Sequence, residues 1–229
     1  ILSLHLNVGG IEKAICDQAN MLSEKYNVEI ITLYKMNNTI PFKLNKNVKV
    51  IYLSKVKPNK EEFKKYLKEK DLINTFKEGI KAIKILYLKK QLTAEYIYNS
   101  DSKIIISTRL YFTKLLNKYK NPEAITIAEE HVYHHESKKY FRKLDKALKN
   151  IDYLLPASKY LTIDYKKKLK TNTTIDYIPL TINYFPEKIS KLEKNNIIAV
   201  GRLEPEKGFE DLIDIMSKVI KKNKNLKLT

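Results

Sequence analysis

Short runs of β-branched residues alternate along this chain with longer stretches whose apolar residues recur every three or four positions, and that alternation narrows the available folds sharply. Apolar runs at residues 1–6, 28–33, 48–53, 103–107, 124–128, 153–156 and 174–178 predict strands. Helical spacing predicts helices over residues 11–26, 61–91, 111–119, 137–149 and 159–169. In the first of these Ile11, Ala14, Ile15, Ala19, Leu22 and Tyr26 mark a buried stripe; in the second Ile73, Phe76, Ile80, Ile83 and Tyr87 share one face. Strands separated by helices imply a parallel sheet covered on both faces and joined by right-handed crossovers. The expected fold is therefore α/β: a Rossmann-like parallel-sheet domain over residues 1–182, a linker over 183–195, and the beginning of a second Rossmann-like domain over 196–229. The linker is polar, carries lysines and contains Pro186. After it come one strand, one helix opening at Phe209, and the start of a further strand at 226–229, too little to bury a core alone. The chain opens at Ile1, inside a strand and without Met, so a short preceding piece is expected.

With 43% hydrophobic and 31% charged residues the composition is that of a globular chain. No apolar run approaches the roughly 18 residues of a membrane span, and no signal-peptide pattern opens the chain. Cys16, the single cysteine, excludes an internal disulfide. Cytoplasmic residence is the expectation.

Near the end lies Ile197-Ile-Ala-Val-Gly-Arg-Leu-Glu-Pro-Glu-Lys-Gly208, followed by Phe209-Glu-Asp-Leu-Ile-Asp-Ile-Met. A strand-to-helix turn of this kind aims free N–H groups and the positive end of a helix at one spot, where an anion can sit. Arg202 adds a planar fork suited to phosphate oxygens and Lys207 a mobile point charge. The alternative is an ordinary turn with solvated cations. Of the 44 Lys and Arg residues, only Arg109, Arg142 and Arg202 are arginine. An arginine in a chain so biased to lysine marks a place where a point charge does not suffice.

Strand, Gly-Arg-Leu, three residues, Lys-Gly and an amphipathic helix resemble the donor-binding signature of family 4 glycosyltransferases, which have the GT-B fold. The resemblance implies that Arg202 and Lys207 neutralise the diphosphate of a nucleoside diphosphate sugar, with Gly201 and Gly208 shaping the loop. It implies a retaining hexosyltransferase, working by front-face substitution in polysaccharide or surface-glycan synthesis, with a glycan or lipid-linked acceptor. No Asp-x-Asp occurs, so no metal and no other cofactor is expected. The family's two C-terminal glutamates would lie beyond Thr229, and this chain alone is expected to be inactive.

Gly9-Gly10, at the end of the first strand, allows positive φ and a close approach to a ligand. Gly-x-Gly-x-x-Gly is absent, which speaks against an NAD-type dehydrogenase. A bare Gly-Gly is as often a plain tight turn. Gly9-Gly-Ile-Glu12 resembles the Gly-Gly-x-Glu of the same family, which implies donor or acceptor contacts for Gly9, Gly10 and Glu12. Beyond the strand at 124–128 comes Glu129-Glu130-His131-Val-Tyr-His134-His135-Glu136. A metal site built on His131 and His135, a polar surface loop, and a sugar-facing histidine all compete here. The resemblance favours the last, implying that His131 hydrogen-bonds a sugar hydroxyl or the surroundings of the reacting centre. Ser158 stands where the family places a serine, and its plainer role is a helix N-cap. Ile178-Pro-Leu-Thr-Ile-Asn183, with Phe185 beyond, resembles the family's connection between domains, although Leu180 and Thr181 replace an Asn-Gly turn.

The net charge of +18 reflects lysine bias and a solvated surface in large part. Nucleic acid is not expected as a partner, because no reader motif appears and arginine is scarce. Between Lys55 and Lys90 twelve lysines face five acids, interleaved with Phe63, Tyr66, Leu67 and Tyr87. That mixture suits peripheral docking on an anionic membrane, at the inner face of the cell membrane. The rival from another class is a basic α/β binding module without chemistry.

Overall fold

A computed structural model describes residues 1–134, 137–181, 186–191 and 194–229. Asn183 and Phe185 of the connecting segment, part of the expected linker, and His135 and Glu136 lie outside the described residues. The chain divides into two compact units, Ile1–Asn183 and Tyr184–Thr229.

The first unit runs β1 (Leu2–Ser3), α1 (Gly10–Leu22), β2 (Glu29–Tyr34), β3 (Lys49–Ser54), α2 (Lys60–Lys68), α3 (Leu72–Tyr98), β4 (Ile104–Ser107), α4 (Leu110–Tyr119), β5 (Ile125–Glu130), α5 (Lys138–Ala147), β6 (Tyr153–Pro156), α6 (Lys159–Lys168) and β7 (Thr174–Ile175). Its seven strands form one parallel sheet in the order β3-β2-β1-β4-β5-β6-β7, flanked by helices, as in a Rossmann-like domain. Parallel strands buried on both faces read as nearly continuous apolar runs, and β2 shows why. Ile31 joins the larger core with Phe112, Leu116, Leu144 and Leu154. Its neighbour Ile30 points the other way, to Ile15, Cys16, Ala19 and Val48, as the two-residue strand period requires. The connection from β2 to β3 contains no helix; its Ile40, Phe42 and Leu44 pack on the second face beside α1.

Three elements differ from expectation. β1 pairs only at Leu2 and Ser3 rather than over residues 1–6, and β7 stops at Ile175 rather than continuing to 178. The single helix expected over 61–91 is two. Lys70 adopts φ 56°, and Asp71 N–H and Lys70 N–H donate to Tyr66 O and Leu67 O. Those bonds close α2 with a left-handed C-terminal motif. Asp71 then caps α3, its carboxylate accepting from Asn74 N–H at 3.0 Å. The third departure concerns burial. The face carrying Ile73, Phe76, Ile80, Ile83 and Tyr87 is exposed, and α3 enters the core through Ile85, Thr93 and Ile97 instead.

In the second unit β8 (Asn196–Ile197) and β9 (Lys227–Leu228) pair in parallel around α7 (Phe209–Lys222), preceded by a 3₁₀ turn at Pro205–Lys207. The expected strand thus takes in only the first residue of its apolar run, Ile197, with Ile198 and Val200 outside the ladder and exposed. Among the described residues of this unit, Met216 is the only buried apolar side chain.

Candidate functional site

The strand order reverses at β1: the chain steps outward to β2 and β3, then returns to place β4 on the opposite side. Loops leaving the C-terminal ends of β1 and β4 consequently diverge, and parallel sheets bind ligands at that crevice. Gly9 and Gly10 lie in the first loop and Arg109 directly follows the second strand. The Arg109 guanidinium donates from Nη2 to Glu12 Oε1 at 3.0 Å. Glu12 is buried, while a third of the Arg109 side chain faces solvent. Asn7 N–H donates to His5 Nδ1 at 3.3 Å. The same Nδ1 lies 3.6 Å from Glu12 Oε1, beyond hydrogen-bond length.

The role expected of Gly9 requires correction. Neither Gly9 nor Gly10 adopts the left-handed region; Gly9 is extended, at φ 174°. Glycine matters there for room. A Cβ on Gly9 would lie 2.1 Å from Glu12 Oε2, whereas one on Gly10 would meet nothing within 4 Å. Gly9 therefore lets the Glu12 carboxylate fold back over the start of α1 and reach Arg109.

One strand further along, β5 ends in two adjacent carboxylates that point to opposite faces of the sheet. Glu129 accepts from Gln18 Nε2 of α1 at 2.6 Å and meets His131 Nε2 at 3.1 Å. Both the imidazole and the carboxylate of that pair are nearly buried. Glu130 Oε2 accepts from Tyr140 OH at 2.5 Å and from Tyr165 OH at 3.5 Å, and meets His134 Nε2 at 3.2 Å. His134 stacks on the Tyr140 ring, centroids 3.4 Å apart. Burial, followed by the charge of Glu130, pushes both tyrosine hydroxyls well above their ordinary range, so they act as donors. Glu130 Oε1 is buried without a hydrogen-bond partner among the described residues. Leaving such an oxygen unpaired costs about 1–3 kcal/mol, a penalty that calls for a specific explanation. The carboxylate pair ties the segment carrying His131 to α1 on one face and to α5 and α6 on the other.

Ser158, after β6, is an N-cap: its hydroxyl accepts from Leu161 N–H at 3.2 Å. In the first unit the structure thus brings Gly9, Gly10, Glu12, His131 and Ser158 to one edge of the sheet. Arg109, Glu129 and Glu130, which the sequence had marked without a role, and His5 and Gln18, which it had not, join them there. Arg109 was legible, being one of three arginines and standing directly after a strand; His5 carried no such signal. Among the described residues no cluster of histidine, cysteine and carboxylate side chains could hold a metal ion. A surface depression of about 700 Å³ lies at the opposite edge beside Lys120, Asp152 and Thr173. It does not coincide with these groups, and the site is placed by its side chains and the strand reversal instead.

In the second unit Gly208 adopts φ +65° and N-caps α7. Gly201 lies against the Phe209 ring, at 3.3 Å from an added Cβ. Arg202 Nη2 donates to Glu206 Oε1 at 2.7 Å, and Lys207 Nζ lies 3.8 Å from the same oxygen. Both partners of the arginine pair are largely exposed, at 71% and 62%. The loop therefore gathers Arg202, Lys207 and the start of α7, with Glu206 held between the two cations.

The first unit defines a Rossmann-like α/β domain with a polar site at the C-terminal edge of its sheet. No protein-family model matches the chain, and no curated protein matches it.

Proposed function

We propose that this chain belongs to a retaining glycosyltransferase that moves a sugar from a nucleoside diphosphate donor to an acceptor hydroxyl. The observation that carries the proposal is the gathering of Gly9, Glu12, Arg109, Glu129 and His131 at the strand reversal of a parallel sheet. These are groups able to orient hydroxyls and to hold charge. The Gly201–Gly208 loop supports it through the chemistry of its cations. Arg202 is engaged by Glu206, but an exposed ion pair contributes only about 0–1 kcal/mol. A diphosphate offering two parallel charge-assisted bonds can displace that carboxylate. In the reaction, the bond between the anomeric carbon and the donor phosphate breaks. The departing phosphate oxygen takes the acceptor's proton, and the acceptor oxygen bonds the same face of the sugar. Arg202 and Lys207 stabilise the charge developing on the diphosphate.

Release of nucleoside diphosphate from a panel of nucleotide sugars tests this, using a polypeptide that contains the chain. Titration of the chain itself with nucleoside diphosphates, read at the backbone amides of Gly208 and Phe209, supplies the binding half. Diphosphate-specific shifts are expected at that loop; their absence, together with no turnover, would count against the proposal. The exposed Arg202–Glu206 pair is the observation that favours the rival, a basic module without chemistry.

A further inference from the structure

The first half of α3 presents an apolar stripe to solvent. Leu72, Ile73, Phe76, Ile80, Ile83 and Tyr87 recur at helical spacing and so share one side, with Leu72 at 79% and Phe76 at 70% exposure. Further along the same helix Ile97 is fully buried, so the stripe is a local feature rather than a badly packed element. At about 1.5 Å per residue the exposed half is roughly 24 Å long. Contiguous apolar surface of this kind marks a place where something docks.

Charge identifies the occupant. Lys77 and Lys84, seven residues apart, run along one flank of the stripe. On the Gly79 side, where the absent side chain admits the Phe63 ring to 3.6 Å of an added Cβ, α2 brings Lys60, Lys64 and Lys68 at helical spacing and the exposed Leu67. Of these lysines none is ion-paired among the described residues; Lys81, beside them, meets Glu78. We infer that the α2–α3 hairpin docks on the surface of an anionic lipid bilayer. The stripe enters the acyl boundary while the lysine stems reach up to the headgroups. Two copies of the chain would instead bring two lysine rows together, which like-charge repulsion opposes. Leu72, Ile73, Ile80 and Ile83, the majority of the stripe, offer no stacking surface to a nucleic acid, against Phe76 and Tyr87 that do. The docking rests on this surface alone and stands or falls independently of sugar transfer.

Flotation of the full chain with vesicles tests it. Vesicles of phosphatidylcholine are compared with vesicles of three parts phosphatidylcholine to one of phosphatidylglycerol. Binding is expected to the anionic vesicles and to fade between about 0.1 M and 1 M salt, as the Debye length falls from about 10 Å to about 3 Å. Phe76→Ser with Ile83→Ser should weaken that binding at least ~10-fold. Lys77→Gln with Lys84→Gln should weaken it by roughly the same factor. Far-UV circular dichroism should be unchanged for both, since the four side chains face water. If the serine pair unfolds the chain, the lysine pair carries the test. Equal partition onto both vesicles would overturn the inference, as would undiminished binding by the lysine variant. So would a dimer, seen by sedimentation and lost in the serine variant, in a chain that ignores both vesicles.

Discussion

Gly9 and Gly10 look interchangeable in the sequence but differ physically. Gly9→Ala drives a methyl into the buried Glu12 carboxylate and strains its bond to Arg109, so a loss of about 1–3 kcal/mol is expected. Gly10→Ala meets open space at the first helical position and should be neutral or stabilising by up to about 1 kcal/mol. Urea unfolding of the two variants separates them, and equal stabilities would show that Glu12 is not held as described. A second contrast concerns Arg202. Lysine there keeps the charge and loses the fork. In the transferase proposed above, Arg202→Lys should therefore lower kcat on the order of 10²-fold with less change in donor affinity, because charge builds on the leaving group. Glu206→Gln frees Arg202 from its present partner and should leave kcat intact while donor binding holds or improves. Steady-state kinetics with varied donor decides it; near-parental kcat for Arg202→Lys would return this arginine to an ordinary surface role. Cys16 shows a simpler residue-scale effect. It is fully buried, and burial pushes its thiol up to about 11. Thiol reagents at pH 8 should label it only when denaturant opens the chain, and rapid labelling of the native protein would contradict the packing of α1.

At the scale of elements, the alternation of strands and helices was legible because each buried strand carries its own apolar run and each helix its own period. Where one helix gives way to two, the periodicity misleads. Apolar residues recur at helical spacing on both sides of the charged stretch Lys68-Glu-Lys-Asp71, and only the local chemistry of Asp71 reveals the break. A carboxylate three residues before Asn74 is a capping signal, outweighed on a first reading by a long lysine-rich pattern. Burial misleads for a related reason: an apolar stripe at helical spacing states that a face avoids water, and leaves open what covers it. The contacts of Glu12 and Glu130 were invisible, since partners such as Arg109, Tyr140 and Tyr165 arrive from distant elements. The Asp71 cap makes a prediction about pH. The Asn74 backbone bond, followed by its side-chain bond, lowers the Asp71 carboxyl below its ordinary 3.8. A depressed folded value means the capping stability is fully present above that ordinary value and is lost as pH falls through the folded one. Amide exchange at Asn74 should accelerate on acidification through that window beyond its intrinsic trend. In Asp71→Asn, which keeps an acceptor but cannot titrate, the pH dependence should vanish. Identical profiles would place the helix break under other control.

Across the whole molecule the two units differ in what holds them. The first encloses its sheet between two apolar cores, with Leu2, Ile30, Leu116 and Leu154 nearly inaccessible. The second buries only Met216 among its described apolar side chains and leaves Val200 and Leu203 each at 90% exposure. Apolar burial stabilises by about 25 cal/mol per Å² removed from water, and units below about 60 residues are marginal even when well packed. In this polypeptide the second unit should therefore open far more often than the first. A charge of +18 adds self-repulsion without favouring either packing. Native-state hydrogen exchange should find amides of Leu212–Val219 exchanging by local opening at least ~10²-fold faster than those of β4 and β5. Limited proteolysis should remove the second unit first and leave a stable first unit. A nucleoside diphosphate held by the Arg202 loop should slow both processes, since a ligand that binds only the folded state stabilises it by RT ln(1 + [L]/Kd). Equal protection of α7 and β5 without ligand would mean the second unit is stabilised by contacts other than its own core.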